Sequence, residues 1–303
     1  MSPLSLEKFE EAYERVQEVI LPTNLIKSDF FSQMTGNKVY LKPENLQLTG
    51  AYKIRGAYYK ISTLTEEEKA RGLITASAGN HAQGVAYAAR KYGVSAIIVM
   101  PVSTPLLKVN RTKALGATVI LHGSVYDEAC AKALELAEEK GYTFVHPFDD
   151  LDVATGQGSI AMEIIKELPT VDTILVPVGG GGLATGVSSL AKMLNPKIKV
   201  IGVEPAGANC LQSSLKAGEV RTLPLIVAFL DVLENHKLLV ENSGLLTVAA
   251  LRHLPAENKK IVSILSGGNM DIITLSSVVQ NGLIQRSRIF TVSVCLPDVP
   301  GQL

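Results

Sequence analysis

Apolar residues along this chain keep two periods, and the switches between them mark its elements. Phe9, Tyr13, Val16 and Ile20 recur at helical spacing among charged residues, which predicts a first helix closed by Pro22. Val39, Tyr40 and Leu41 read as a short strand, and residues 51–62 as a second helix with Thr49 as its N-cap. The pattern then becomes regular. Apolar runs at 73–76, 96–100, 119–121 and 143–145 alternate with amphipathic helices at 80–92, 105–115 and 125–140. The same rhythm resumes after His146, with a helix at 158–168, a strand at 173–178, four glycines and a helix at 183–194. Buried strands follow at 199–203 and 261–265. Such alternation predicts an α/β protein of open, twisted, mostly parallel sheets with helices on both faces. Two α/β units are expected, with a boundary near residue 147. After Ser287 the period falls to two: Phe290, Val292, Val294 and Leu296 alternate with Thr291, Ser293 and Cys295, a strand that runs into a turn at 297–301.

Charge narrows the function. Lys and Arg number 29 and Asp and Glu 29, so there is no basic excess of the kind that nucleic-acid or membrane-surface partners call for. Apolar residues at 47% exclude disorder over most of the length. No apolar core of a signal peptide stands in the first residues, and no apolar run is long enough to span a bilayer. The cysteines, Cys130, Cys210 and Cys295, are far apart and odd in number, which fits a reduced, cytoplasmic setting. The five histidines show no i,i+4 pair and no cysteine partner, so no metal site is expected.

Candidate chemistry sits where strands give way to helices. Gly179, Gly180, Gly181 and Gly182 follow a strand and precede a helix, so their amides can converge on an anion at that helix start. The spacing is neither GxGxxG nor GxxxxGK[ST], and a single phosphate fits better than a dinucleotide; a plain flexible loop is the alternative. Lys53 stands just inside a helix start, where the positive dipole end and burial beside Tyr52 and Ile54 both favour a neutral, nucleophilic amine. A lysine in a first helical turn is usually just solvated. Beside a one-phosphate cradle it suggests an imine to a phosphorylated aldehyde. Asn80, in the run Ser77, Ala78, Gly79, Asn80, His81, can cap the following helix or face a ligand. Ser266, in Ser-Gly-Gly-Asn after the last strand, can close a tight turn or do the same. His81 and His146 read as structural, and Glu204 as a loop carboxylate.

Together these segments resemble those of the fold type II pyridoxal-phosphate enzymes, the tryptophan-synthase β class, and within it the threonine ammonia-lyases (threonine dehydratases). Residues 44–57 are similar to that family's cofactor-lysine segment, 75–84 to its asparagine loop, 179–183 to its phosphate loop, and 266–269 to the loop whose serine faces the pyridine nitrogen. The resemblance covers about residues 5–223 and resumes from about 231. It implies a large domain of 1–48 and 147–287, a small domain of 49–146, and the cofactor in the cleft between them. Residues 288–303 look like the opening of an ACT regulatory domain, cut short.

The resemblance further implies pyridoxal 5'-phosphate carried by Lys53, its phosphate held by Gly179, Gly180, Gly181, Gly182 and Leu183. Asn80 is then expected at the ring hydroxyl and Ser266 at the ring nitrogen. Ser77, Ala78, Gly79, Asn80 and His81 receive the substrate carboxylate. A hydroxyl at that nitrogen cannot hold it protonated as a carboxylate would, which favours elimination over transamination. The implied reaction is dehydration and deamination of L-threonine, and of L-serine, to a 2-oxo acid and ammonia. Lys53 would remove the Cα proton. The implied setting is isoleucine biosynthesis by a homodimer or homotetramer. Two departures stand out. The chain runs on from Pro224 to Asp231 where the family carries a long additional stretch, and 241–244 replace a Gly-Ala-rich turn. Serine racemase of the same fold is one alternative. It needs a hydroxyl where Ala78 offers a methyl group, and a divalent-ion site in the Glu204 region where Cys210 replaces a carboxylate. A non-catalytic, ligand-sensing relative is the other, and retention of Lys53, Asn80, the glycines and Ser266 argues against it.

Overall fold

The computed structural model describes residues 4–205 and 225–289, and within them the alternating rhythm becomes two sheets. The chain opens on α1 (Leu6–Val16), β1 (Ile26–Ser28), α2 (Asp29–Thr35) and β2 (Lys38–Lys42). α3 (Lys53–Thr63) and α4 (Glu66–Ala70) lead to β3 (Leu73–Ala76), α5 (Asn80–Tyr92), β4 (Ala96–Met100), α6 (Leu106–Ala114), β5 (Thr118–Leu121), α7 (Tyr126–Lys140) and β6 (Thr143–Phe144). Then come α8 (Leu151–Glu167), β7 (Thr173–Pro177), α9 (Gly182–Leu194) and β8 (Lys199–Val203). The described chain closes with α10 (Leu225–His236), α11 (Asn242–Leu251), β9 (Lys260–Ile264) and α12 (Ile272–Gln285). One sheet has the order β5-β4-β3-β6, all parallel. The other has the order β1-β2-β9-β7-β8, parallel except where β1 runs antiparallel to β2.

β3, β4, β7 and β9 are largely apolar because both faces are covered. In β7, Ile174 and Val176 pack with Phe9, Ile160 and Val187 in one layer, while Leu175 packs with Phe229, Leu245 and Val248 in the other. β9 alternates in step: Val262 and Ile264 join the first layer and Ile261 the second. The smaller sheet is sandwiched likewise, with Ile98 against Ile54, Ile61 and Val85, and Ile74 and Val99 against Ala129 and Ala133. No helix of the described residues is long and apolar enough to cross a membrane.

The structure departs from the sequence reading at several elements. α1 ends at Val16, well before Pro22, and Val19 and Ile20 leave the helix to pack into the core beneath α3 and α5. α8 starts at Leu151, not near 158, with Asp150 capping the amides of Asp152 and Val153. Glycine weakens a helix interior, yet close packing requires it here: a Cβ on Gly156 would stand 2.7 Å from the Arg55 carbonyl, and one on Gly158 2.3 Å from the Phe9 ring. β1 and α2 escaped notice because three and seven residues are too few to show a period. Thr49 is not the cap of α3; Tyr52 holds that position, and the Thr49 hydroxyl donates instead to the Ala51 carbonyl. The strand expected beyond residue 289, the ACT-like tail, Cys210, Cys295 and the junction at Leu223 and Pro224 lie outside the described residues.

Candidate active site

The segments that carried the chemical signal all follow the carboxyl ends of parallel strands β2, β3, β7 and β9, the position where open α/β sheets place their ligands. There they enclose a cavity of about 220 Å³ lined by Lys53, Asn80, Gly179, Gly180, Gly181, Gly182, Leu183 and Ser266. Backbone pairing holds the Lys53 and Ser266 segments together. Tyr52 N donates to Ser266 O at 3.1 Å and Gly268 N to Gly50 O at 2.9 Å, with Ala51 and Gly267 forming an antiparallel bridge between them. The turn before Lys53 needs glycine at position 50, where φ is 71°.

Lys53 is the first residue of α3. Its Nζ donates to the Pro147 carbonyl at 2.6 Å and stands 5.3 Å from the centre of the Tyr52 ring. No carboxylate forms an ion pair with it among the described residues. Burial therefore acts unopposed and draws its pKa down to about 8, so a reactive neutral amine is populated near physiological pH. The sequence reading expected this direction of shift.

Helix starts supply the opposite polarity. α3, α5, α9 and α11 all begin at the cavity, and none has a side-chain cap. Five helices that begin elsewhere, α1, α2, α4, α8 and α12, do carry one, while α6 and α7 do not. Uncapped amides and the positive ends of the helix dipoles thus converge on the cavity and favour anions there. At the glycine loop a Cβ on Gly179 or Gly181 would meet nothing within 4 Å, which leaves open space beside the amides. Gly181, at φ 90°, turns the chain into α9. A Cβ on Gly180 would instead stand 2.1 Å from the Phe148 ring, so that ring forms one wall.

The asparagine loop divides. Asn80 lines the cavity and its side chain caps nothing; Nδ2 donates to Glu241 Oε1 at 2.6 Å, and Oδ1 accepts from Asn269 Nδ2 at 2.8 Å. Ser77, Ala78 and Gly79 form the half-buried turn leading into it, with the Gly79 amide donating to Ser77 Oγ at 3.3 Å. His81 is buried, its Nε2 3.1 Å from the Val145 carbonyl. Burial, then the nearby Lys53 charge, pull its pKa down to about 3, so the ring stays neutral and Nε2 carries the donating hydrogen. His146 Nδ1 accepts from the amides of Phe148 and Asp149 and so holds a turn, as expected of a structural histidine. Ser266 does not cap α12, whose cap is Asp271. Among the described residues no group of three or more His, Cys, Asp or Glu is placed to hold a metal.

Tyr52, Phe148, Glu241, Ser243 and Leu246 also line the cavity and were not among the sequence candidates. Phe148 follows a predicted strand end in a His-Pro-Phe-Asp-Asp run, a position that could have marked it. Glu241 was visible only as a departure from the family pattern. Burial and then the Glu241 charge push the Tyr52 hydroxyl pKa up, so it stays protonated.

The sequence pattern of the family described as "pyridoxal-phosphate dependent enzyme" matches residues 16–231. An L-threonine ammonia-lyase of Thermotoga maritima is 40% identical over 337 residues, taking in 99% of this chain and 84% of its own length. That span exceeds the 303 residues here, so the relative has positions without a counterpart in this chain. The processed form of threonine deaminase isoform 2 from Solanum lycopersicum matches with a TM-score of 0.81 and 33% identity, covering 91% of this chain and 94% of its own. Maize serine racemase matches with a TM-score of 0.84 and 31% identity, covering 94% and 99%.

Proposed function

Because the chain belongs to the pyridoxal-phosphate-dependent enzymes, and within them to the threonine ammonia-lyase group, we propose that it dehydrates and deaminates L-threonine, and L-serine, to a 2-oxo acid and ammonia. One observation supports this most directly: a lysine drawn toward neutrality by burial shares a cavity with the uncapped amides of α9. A primary amine and a one-phosphate cradle, both facing the same space, suit a phosphorylated aldehyde.

The residues present fit that cofactor. Gly179 and Gly181 leave room beside the α9 amides for its phosphate, Lys53 Nζ can hold its aldehyde carbon, and Asn80 and Ser266 present hydrogen-bonding groups to its ring. When bound, pyridoxal phosphate supplies an electron sink that makes the substrate Cα–H bond acidic. Lys53 would be the base that takes the Cα proton, a role suited by burial that favours its neutral amine. The start of α5 attracts the substrate carboxylate through its uncapped amides. Phe148 and Leu246 present apolar surface to the cavity and limit water there. By the same reading the chain divides into a unit of 1–48 and 147–287 and one of 49–146, in step with the two sheets.

A racemase matches this fold as well as a deaminase does, so fold likeness does not decide between them. Ala78 does. Returning a proton to the opposite face of Cα needs a second acid, and a methyl group has no proton to give. The test is an assay of L-threonine and L-serine for 2-oxo acid, with D-serine measured in parallel. We expect 2-oxobutanoate from threonine, negligible D-serine, and a rise in D-serine on Ala78→Ser. Serine racemised faster than it is deaminated by the unaltered protein would overturn the reading.

A further inference from the structure

The Asn80 side chain is gripped at both ends by groups that allow it one orientation. A carboxylate only accepts, so Glu241 Oε1, 2.6 Å away, must be met by Asn80 Nδ2. That turns Asn80 Oδ1 toward Asn269, whose Nδ2 donates to it at 2.8 Å. The Asn269 amide is fixed in turn, because the same Nδ2 donates to the Thr49 carbonyl at 2.7 Å, and a carbonyl only accepts. Asn269 Oδ1 accepts from Arg111 Nη1 at 3.4 Å. Each donor points the same way, from the Arg111 cation to the Glu241 carboxylate, so every bond polarises the next. Glu241 is anchored as well: its amide donates to Gly267 O at 2.9 Å, and Ser243 Oγ donates to its Oε1 at 2.9 Å. Gly267 leaves the space for this arrangement, since a Cβ there would stand 2.6 Å from Glu241 Oε1 and 2.9 Å from Asn80 Nδ2.

An asparagine amide carries two Nδ2 hydrogens, and Glu241 takes one. A flipped Asn80 would set oxygen against oxygen at Glu241 and nitrogen against nitrogen at Asn269, losing both bonds. We propose that Glu241 and Asn269 are positioning residues that clamp the Asn80 amide, so that its second Nδ2 hydrogen is always the group offered to the cofactor ring oxygen. This rests on the reading of the cavity as a pyridoxal-phosphate site. The clamp keeps a donor, never an acceptor, beside an oxygen that gains negative charge.

The experiment compares holoenzyme and cofactor-free protein for the wild type, Glu241→Gln, Glu241→Ala and Asn269→Asp. The readouts are the visible absorption band of the bound cofactor, its dissociation constant and the thermal midpoint without cofactor. Glu241→Gln keeps an acceptor for Asn80 and should behave as wild type. Glu241→Ala frees one end, and Asn269→Asp sets an acceptor against Asn80 Oδ1. Both should shift the band and weaken cofactor binding by about tenfold, the scale of one lost hydrogen bond; the thermal midpoint should change little in Glu241→Ala and fall in Asn269→Asp, which also loses the bond to Thr49 O. An unshifted band and unchanged affinity in both, or Glu241→Gln as impaired as Glu241→Ala, overturns the clamp while the cofactor reading stands. A wild type that binds no cofactor removes that reading, and the clamp with it.

Discussion

Lys53→Ala is expected to abolish formation of 2-oxobutanoate from L-threonine, by a factor on the order of 10⁴ or more, because one atom holds two roles. In the proposed function Nζ is the attachment point for the cofactor and also the base for the substrate Cα proton. Among the described residues no second amine lines the cavity to replace it. The fold should survive. α3 is held by Ile54, Ala57 and Ile61, all fully buried, whereas the Lys53 side chain contributes a single hydrogen bond, to Pro147 O. Losing it costs about 1 kcal/mol. Turnover and urea unfolding of the same preparation separate the two effects. Turnover within tenfold of wild type would show that the proton goes elsewhere.

The largest effect on stability is expected two residues along, at Arg55. This guanidinium is fully buried and meets two carboxylates, each through two bonds. Nε and Nη2 donate to Glu44 at 2.8 Å each, and Nη1 and Nη2 donate to Glu163 at 2.7 and 2.9 Å. Lys42 Nζ adds a second cation on Glu163 at 2.5 Å, so the buried cluster of two cations and two anions is neutral. Burial works against the charge of Glu163, but Arg55 and then Lys42 outweigh it and hold that carboxyl below its usual range. The cluster ties α3 to α8 and to the turn after β2, and so fixes the helix that begins with Lys53. Arg55→Leu would leave Glu44, which has no exposed surface, and Glu163 with Lys42 as their one remaining partner cation among the described residues, a net buried negative charge. A loss of about 3–5 kcal/mol is expected in urea unfolding, the cost of stranding a buried charge. Arg55→Lys keeps the charge but not the fork geometry and should fall in between. A change under about 1 kcal/mol for Arg55→Leu would mean that the carboxylates escape to water.

What could be read from the sequence follows from which interactions are local. β4 was placed at its observed bounds because a strand covered on both faces is a continuous apolar run, and α5 because its period is clear and Gly93 ends it. The lysine, asparagine, glycine and serine segments announced themselves through residue types that strand-to-helix turns need. Other features rest on contacts between distant parts of the chain. The glycines of α8 make sense only against Arg55 and Phe9, which pack on it. Glu241 gains its place through Asn80, 161 residues away, and Asn269 through Thr49, 220 residues away. Phe148 became a wall of the cavity only once Gly180 lay against its ring. α10, α11 and α12 passed unremarked; in α11 a nearly unbroken apolar stretch leaves little amphipathic signal.

The central claim is that Lys53 carries the cofactor in this cavity, and reductive trapping tests it most directly. Holoprotein treated with borohydride, digested and mapped by mass spectrometry should carry the reduced cofactor on the peptide containing Lys53, with the visible band bleached and other lysines unmodified. Cofactor fixed to a different lysine, or a protein that takes up pyridoxal phosphate without any covalent link to Lys53, would contradict the account.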